Sequence, residues 1–493
     1  MQQVIIGRKA EQAELDRCMH SLRSEFVIVY GRRRVGKTFL IENYFNGLFD
    51  FTFVGGHRLA KAKQLRAFAK SLKKAAKISS QPKFSDWMDA FDALEEYLES
   101  LPADRKKVVF IDEMPWIDTP QSEFVEALEC FWNGWGARRN DIVFIASGSA
   151  SSWMMDKLVE NPGGLHARIT SNIYVRPFTL KETKDYLQSQ KMSLDDYQVL
   201  QLYMIFGGIP FYLSLLNPSE SLVANIDRLF FRKNGELRTE FDELYNAIFS
   251  KSEKYLEVVA LLNKNKEGLT YSQISKATKL SSQQLTTVLR NLERCDFVLS
   301  YIQFGNKVKG TIYRLVDFYT LFYYKFIGQM DSKDEQWWTN NYDSRSVMSW
   351  QGVAFELVCL THLSQIKKAL GISGISTSAS TWRYVAPKDS AEDKGAQIDL
   401  VIDRGDHTIN LCEMKFSTGL YTITEEYEEH VRRRVALFQE KTRTTKSLVS
   451  TFVTTYGVSN GIHRSIVGKE VVAKDLPQFG IVQTANLGCL HYF

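Results

Sequence analysis

The chain has 493 residues, which is too long for a single hydrophobic core and predicts three or four domains. Hydrophobic residues make up 44% and charged residues 24%, values that are ordinary for a globular protein and argue against extensive disorder. The net charge of +5 is small for this length, so nucleic acid is permitted as a partner only through a local basic patch.

The N-terminus lacks the charged head and long apolar core of a signal peptide, and no run approaches the roughly 18 apolar residues of a membrane helix. The six cysteines are scattered without a Cys-x-x-Cys pair, so neither a zinc site nor a disulfide framework is indicated. We therefore expect a cytoplasmic protein without a membrane partner.

From the start to about residue 180, apolar strands alternate with helical segments, which predicts an α/β domain with a parallel sheet. The predicted strands are 26–30, 51–54, 108–111, 142–146 and 173–175. Helical spacing dominates from 181 to 250, with a turn at 207–210, and predicts a helical lid.

The next segment predicts three helices followed by a hairpin, the pattern of a winged helix. An aromatic helix follows at 318–326, a polar segment predicts a linker, and the last domain is again α/β. The predicted helices are 254–262, 271–278 and 281–294, and the predicted strands are 297–302 and 309–315. The predicted domains are 1–180 (core), 181–250 (lid), 251–327 (winged helix), 328–346 (linker) and 347–493.

The first strand runs directly into Gly31, at the start of a segment, 31–38, that matches the phosphate-binding P-loop pattern. Gly31 and Gly36 let the backbone turn tightly, so that its N–H groups approach phosphate oxygens. Lys37 can reach the β and γ phosphates, and the Thr38 hydroxyl can bind Mg²⁺. Residues 32–34 are arginines at variable positions of the motif, and we expect them to be exposed.

A second acidic element follows the strand 108–111, where Asp112 is placed to serve the metal and Glu113 to orient or deprotonate the attacking water. This pair predicts hydrolysis of the nucleotide rather than binding alone. After the next strand, Ser147 and Ser149 are either contacts to the γ phosphate or parts of an ordinary turn. Arg168 is either a solvated arginine or an arginine finger toward a neighbouring subunit.

These motifs resemble those of the archaeal-type ATPases in the STAND and AAA+ branch of P-loop proteins. The likeness covers about residues 1 to 250 and rests on segments 6–8, 31–38, 112–115, 146–149, 168, 177–178 and 207–210. It implies ATP as the nucleotide, with Gly7 and Arg8 near the base, and a homo-oligomer or a partner protein. Many members of this family carry a winged helix and then a PD-(D/E)XK-like domain.

The C-terminal domain contains a second candidate site on two predicted strands joined by the three-residue loop 405–407. This loop length sets Asp399 opposite Glu413, and the strand period brings Lys415 to the same side. Two carboxylates can hold Mg²⁺ and a lysine can activate water; Glu356, on the predicted helix 352–363, could complete the ligand set.

Asp399, Glu413 and Lys415 occupy the motif positions of the PD-(D/E)XK nucleases, which this segment resembles. An ordinary polar hairpin is the alternative, because edge strands carry Glu and Lys for solubility. Basic residues at 430–434 and 441–446 would suit contacts to a phosphate backbone, although such runs are also common on solvated faces.

Two functions remain open for the sequence. The first is an ATPase whose nucleotide state rearranges a winged helix and a nuclease-like domain acting on nucleic acid, with DNA favoured. The second is a regulatory ATPase switch whose winged helix and C-terminal domain bind partners without cleavage. The carboxylate pair and the lysine favour the first.

Overall fold

We analysed a computed structural model, which describes residues 4–149, 151–160, 163–165, 168–249, 251–306, 310–328, 334–386 and 395–476. The chain divides into two compact units. The first unit contains residues 1–177 and 247–250, and the second contains residues 178–246 and 251–493. None of the helices within the described residues is both long and apolar enough to cross a membrane.

The first unit is built on a five-stranded parallel sheet in the order β2-β3-β4-β1-β5. The strands are β1 (Glu25–Tyr30), β2 (Phe51–Val54), β3 (Lys107–Asp112), β4 (Ile142–Gly148) and β5 (Ser171–Tyr174). All five strands lie where the apolar runs predicted them. The central strands β1, β3 and β4 are buried almost throughout, which is why their sequences read as continuous rather than alternating apolar runs.

Helices flank this sheet, and α2 begins at Lys37, within the P-loop segment 31–38. They are α1 (Lys9–His20), α2 (Lys37–Tyr44), α3 (Lys61–Ala76), α4 (Trp87–Glu99), α5 (Phe124–Gly134) and α6 (Ser151–Met154). One face of α3 packs through Phe68 against Phe51 and Phe53 of the edge strand and against Trp87 of α4. These aromatic contacts fix α3 and α4 at the β2 edge of the sheet.

The second unit begins with the predicted helical segment, which is helical as expected. Its helices are α7 (Leu180–Ser189), α8 (Asp196–Phe206), α9 (Pro210–Ser214), α10 (Leu222–Ile226) and α11 (Glu236–Ile248). The turn between α8 and α9 requires glycine, since Gly208 has φ 68° and a Cβ there would lie 2.1 Å from the Phe178 carbonyl oxygen. The buried His362 side chain accepts, at Nε2, a hydrogen bond of 3.1 Å from the Leu180 backbone N–H.

Residues 252–315 form three helices and a three-stranded antiparallel sheet in the order β6-β8-β7. The elements are α12 (Ser252–Lys264), β6 (Leu269–Thr270), α13 (Tyr271–Ala277), α14 (Ser282–Arg294), β7 (Val298–Ile302) and β8 (Thr311–Leu315). The predicted helices and hairpin strands are confirmed, apart from residue 309, which lies outside the described residues. Ser281 caps α14 with a reciprocal capping box to Gln284.

The segment predicted as a linker is more ordered than its polar sequence suggested. After α15 (Phe318–Phe322) comes a short helix, α16 (Trp337–Asn341), whose Trp338 is buried against Phe322 and Trp350. Asp227 accepts hydrogen bonds from the backbone N–H groups of Trp338 and Thr339, which ties α16 to the α10 region. The tryptophans therefore give this segment a packing role that its polar composition concealed. Residues 329–333 lie outside the described residues.

The C-terminal part contains a second five-stranded sheet, in the order β13-β12-β11-β10-β9. Its elements are α17 (Arg345–Thr361), α18 (Leu363–Ala369), β9 (Thr377–Tyr384), β10 (Ala396–Arg404), β11 (Thr408–Lys415), α19 (Glu425–Thr442), β12 (Ser447–Thr454) and β13 (Lys469–Val472). Strands β9, β10 and β11 are antiparallel, and β12 and β13 join in parallel.

The predicted hairpin register is confirmed. Leu400 pairs with Cys412 and Asp403 with Ile409, so the next position along places Asp399 opposite Glu413. The loop 405–407 has three residues, with His407 at φ 60° closing the turn. A register shift between Ile398 and Val401 in the pairing of β10 with β9 was not foreseen, and it interrupts the alternation of side chains next to Asp399.

Candidate functional site

The P-loop segment joins β1 to α2 as its sequence predicted. Gly31 (φ 150°) passes so close to β5 that a Cβ there would lie 2.3 Å from the Val175 carbonyl oxygen. Gly36 has φ 87° and forms the N-terminal boundary of α2, which begins at Lys37. The Lys37 side chain is only 6% exposed, and its Nζ donates to the carbonyl oxygens of Gly31 and Arg32, both at 3.0 Å. The ammonium group therefore lies within the curve of the loop.

The three arginines of the loop differ from the expectation drawn from the motif. Arg32 is 2% exposed, although the arginine run was expected on the surface, and Arg33 and Arg34 are half-buried. The motif does not fix the residue type at its variable positions. The burial of these positions is nevertheless set by the fold, because neighbouring elements enclose the loop. Arg8 is also buried, and it donates to the Val35 carbonyl oxygen of the loop at 3.1 Å. The Arg8 side chain thus supports the loop by binding the backbone of the loop.

The acid at the end of β3 lies next to the loop. Asp112 is buried and accepts a hydrogen bond from the Thr38 hydroxyl at 2.7 Å. Its other oxygen accepts from the Ser147 hydroxyl at the end of β4 and from the Glu113 backbone N–H at 3.0 Å. Three elements, α2, β3 and β4, therefore converge on one carboxylate.

Glu113 adopts a left-handed backbone conformation, with φ 48°, just beyond the strand. Its carboxylate accepts from the Ser149 hydroxyl at 2.6 Å and from the Ser149 backbone N–H at 3.3 Å. A left-handed glutamate costs conformational free energy, and such positions persist where the surroundings hold them. The two serines left open by the sequence thus each hold one of the acids.

The chemistry of these groups fits a magnesium ion. The Thr38 hydroxyl and the Asp112 carboxylate are hard oxygen donors that already contact one another, and Mg²⁺ prefers such ligands together with phosphate oxygens. Arg168 is exposed, and its backbone N–H bonds to the Leu165 carbonyl oxygen. Its predicted role concerns a neighbouring subunit and stays a prediction.

The C-terminal candidate residues have hydrogen-bond and ion-pair partners that the sequence did not indicate. Glu413 is buried, accepts the Tyr427 hydroxyl at 2.7 Å and forms an ion pair with Arg434 at 2.7 Å. Lys415 lies 4.8 Å from the centre of the Tyr427 ring. The carboxylate and the lysine of the motif are thus both engaged by helix α19.

Glu356 is engaged from another direction. It forms an ion pair at 3.5 Å with Arg314 of β8, whose side chain is buried. Burial, with the negative charge of Asp399 as a second cause, raises the pKa of Glu356 to about 7, while Arg314 opposes this shift. Asp399 accepts a hydrogen bond from the Gln397 amide at 2.9 Å.

The predicted metal-binding role of Glu356, Asp399 and Glu413 stays a prediction. Across the described ranges, no group of three or more His, Cys, Asp or Glu side chains could hold a metal ion. Asp399 and Lys415 both act on the charge of Glu356, whereas Glu413 is bonded to Tyr427 and Arg434 of α19.

The predicted basic surface at 430–446 is also largely neutralised. Its cations pair with carboxylates as Arg432–Glu428, Arg434–Glu413, Lys441–Glu440 and Lys446–Asp403. Arg434 is in addition buried. The charge run was visible in the sequence, but its partners, most of which lie on other turns or strands, were not.

Comparison with known proteins gives one family match and several distant similarities. Residues 6–216 match the model of an ATPase domain found predominantly in Archaea. An uncharacterized protein of Methanocaldococcus jannaschii is 24% identical over 337 residues, which cover 66% of this chain and 69% of that protein. The matched range contains the phosphate-loop segment and the acids at the end of β3, so this part of the chain is similar to that ATPase domain.

Two solved structures are similar at low identity. A Walker-type ATPase of Pyrococcus abyssi has a TM-score of 0.45 and 18% identity, covering 64% of this chain and 95% of that one. The ORC2 protein of Aeropyrum pernix, solved in ADPNP and ADP complexes, has a TM-score of 0.39 and 15% identity, covering 62% and 89%. At these scores the similarities identify no ligand or partner for this chain.

Proposed function

We propose that this chain binds ATP at the loop 31–38 and hydrolyses it. The observation that carries the proposal is the pair of adjacent acids at the end of β3, each held by a serine of β4 or of the residues after it. Asp112 is bonded to Thr38 and Ser147, and Glu113 to Ser149. A site that only bound nucleotide would not need a second, separately positioned carboxylate.

Each residue of this site has a distinct task in hydrolysis. Backbone N–H groups of the loop and the Lys37 ammonium hold the phosphates, and Thr38 and Asp112 would hold Mg²⁺. When bound, the ion neutralises charge on the β and γ phosphates. Glu113 accepts the proton of the attacking water, and Ser149 keeps the carboxylate in position for this transfer.

Two further assignments extend this proposal. Gly7 and Arg8 lie near the adenine base, as the resemblance to archaeal-type ATPases implies, and Arg8 additionally holds the Val35 carbonyl. Arg168 acts as an arginine finger on the nucleotide of a neighbouring copy, which requires a homo-oligomer. Its exposed side chain is compatible with that role. Loss of ATP turnover in Arg168→Ala, restored by mixing with a Glu113→Gln chain, would test the assignment.

For the rest of the chain we propose a regulatory role. Residues 251–327 act as a winged helix, and the C-terminal domain is nuclease-like in topology but binds its partner without cutting. The observation favouring binding over cleavage is that two of its three carboxylates are neutralised by arginines, Glu413 by Arg434 and Glu356 by Arg314. An arginine next to a carboxylate competes with a metal cation for the same oxygens.

The test is a nuclease assay on DNA and RNA with Mg²⁺, with and without ATP. We expect no cleavage by the wild-type chain in either condition. Magnesium-dependent cleavage that appears with ATP and is lost in Asp399→Ala would favour the nuclease function, and would mean that the ion pairs open during the ATPase cycle. Catalytically inactive Glu113→Gln protein is the matched control, since it separates ATP binding from turnover.

A further inference from the structure

The helix α3 carries an unusual concentration of positive charge. Nine lysines and arginines and no aspartate or glutamate occur between residues 51 and 85. Since the whole chain carries only +5, the remaining residues together carry a net charge of −4. The positive balance of the protein is therefore located in this one segment of the first unit.

Four of these cations lie in one stripe on the exposed side of α3, and a fifth, Lys77, is the residue that caps its C-terminal end. The spacing of three or four residues places them on one face, which we call the α3 basic face. Its members are Lys63, Arg66, Lys70, Lys74 and Lys77, all exposed. At 1.5 Å per residue the α3 basic face is about 21 Å long, a distance along which duplex DNA presents about twelve phosphates.

These side chains differ from the basic residues at 430–446 in having no acidic partners. None of the salt bridges among the described residues involves a cation of the α3 basic face, whereas four basic residues between 430 and 446 are paired. Cations without acidic partners can neutralise the phosphates of a nucleic acid and so release the counterions condensed on it. The available positive surface is thus on α3 rather than where the sequence suggested it.

The opposite face of α3 excludes a membrane as the partner. Leu65, Phe68 and Leu72 are buried in the core against the β2 edge, so no apolar face is left to enter a bilayer. A protein partner is also disfavoured, since interfaces between proteins are rich in aromatic residues and poor in lysine. The exposed side of α3 offers lysine, arginine and Ala62.

The neighbouring helix α4 limits where a polyanion can lie. It carries five acidic residues and no lysine or arginine. They are crowded enough that burial and the charges of Glu99 and Asp92 raise the pKa of Glu95. A phosphate backbone is repelled from α4, and contact is therefore confined to α3.

We propose that the α3 basic face is a docking surface for the phosphate backbone of a nucleic-acid duplex, independent of base sequence. This surface belongs to the ATPase domain and does not depend on nuclease activity or on ATP turnover. It would place the P-loop domain, rather than the C-terminal domain, in direct contact with the duplex.

The test measures binding of a 24-base-pair DNA duplex by fluorescence anisotropy, in EDTA and without nucleotide, between about 50 and 200 mM salt. The variant carries Lys63→Gln, Arg66→Gln, Lys70→Gln and Lys74→Gln, and glutamine preserves helix propensity. The matched control removes the same charge from four exposed lysines elsewhere, through Lys191→Gln, Lys233→Gln, Lys469→Gln and Lys474→Gln.

For the wild-type chain we expect log K to fall against log salt with a slope of about −4.5, from 0.9 per contacting cation. The α3 variant should lose about 3.6 of that slope and bind at least about tenfold more weakly at 50 mM salt. The control should keep both values. Equal losses in the two variants, or an unchanged α3 variant, would overturn the proposal.

Two further measurements cover the other possible occupants and the fold. Protection of Lys63, Lys70, Lys74 and Lys77 from acetylation by bound duplex, read in the wild-type chain, tests the same surface without mutation. The wild-type chain could instead bind no duplex but self-associate in sedimentation, with the α3 variant losing this self-association. The face would then contact the acidic α4 of a second copy. Co-sedimentation with anionic vesicles but not with duplex would point to a membrane, and either result refutes the proposal.

Discussion

Replacing Glu113 by glutamine should abolish ATP hydrolysis while leaving ATP binding intact. Glutamine has the same shape, and its carbonyl oxygen can still accept the hydrogen bond of the Ser149 hydroxyl, now at 2.6 Å. The second bond, from the Ser149 backbone N–H at 3.3 Å, would then be lost, because the amide NH2 group facing this N–H is itself a donor. Losing that bond costs about 1 kcal/mol at most, so the fold and the phosphate loop should be preserved.

The rate effect follows from the loss of the proton acceptor. General-base catalysis contributes about 10²- to 10⁴-fold, which corresponds to about 3 to 5 kcal/mol in activation free energy. An amide accepts no proton at neutral pH, so Glu113→Gln should lose this whole contribution. Ser149→Ala removes only the hydroxyl that positions the carboxylate, so it should lose a smaller part of the rate. Ser149→Thr keeps a hydroxyl and should restore that part.

The assay is steady-state release of inorganic phosphate, combined with calorimetric titration of a non-hydrolysable ATP analogue. We expect at least about a hundredfold lower turnover with an analogue affinity within about threefold of the wild-type value. Normal turnover in Glu113→Gln would show that another group accepts the proton. Loss of analogue binding would show that the carboxylate supports the fold rather than the reaction.

Three other changes have defined outcomes. Burial lowers the pKa of His362 to about 4. The free energy of unfolding is therefore unaffected by this group above about pH 6.5. It falls by up to about 3 kcal/mol toward pH 4, because the unfolded chain binds the extra proton there. Urea unfolding of His362→Gln should show a weaker loss between pH 7 and 4.5. Arg434→Met leaves the buried carboxylate of Glu413 unpaired and should cost about 3 to 5 kcal/mol in the same assay; a change below about 1 kcal/mol would contradict the ion pair. Gly31→Ala places a Cβ against the Val175 carbonyl and should remove ATP binding in calorimetry, whereas normal affinity would refute the close approach of the loop to β5.

The nucleotide site could be predicted from the sequence because its parts are local. The residues 31–38 are contiguous, and Asp112 follows directly on a buried strand, so the motif and its context are both readable. The hairpin of the C-terminal domain was predictable for the same reason, since the length of one loop fixes the register of its strands.

The neutralised state of the C-terminal carboxylates was not predictable, because the partners are distant in sequence. Arg314 lies on β8 and Glu356 on α17, and their contact depends on how two separate elements pack. Arg434 was visible only as one member of a basic run. The register shift beside Asp399 likewise arises from pairing with β9, about which the β10–β11 hairpin sequence carries no information.

The availability of surface charge was also hidden in the sequence. A run of lysines and arginines looks the same whether or not carboxylates on other elements pair with it. Among the described residues, ion pairs engage four of the basic residues at 430–446, whereas none engages the α3 basic face. Composition gives the sign of a segment's charge, and tertiary packing decides how much of it is free.

The most direct test of the central claim is ATP binding and turnover by Lys37→Ala beside Lys191→Ala. Lys37 is buried within the phosphate loop, whereas Lys191 is an exposed lysine of the second unit, so both variants lose one charge but only one changes the proposed site. We predict that Lys37→Ala loses tight ATP binding and hydrolysis while Lys191→Ala retains both. Unchanged ATP affinity and turnover in Lys37→Ala would contradict the assignment of the loop as the nucleotide site.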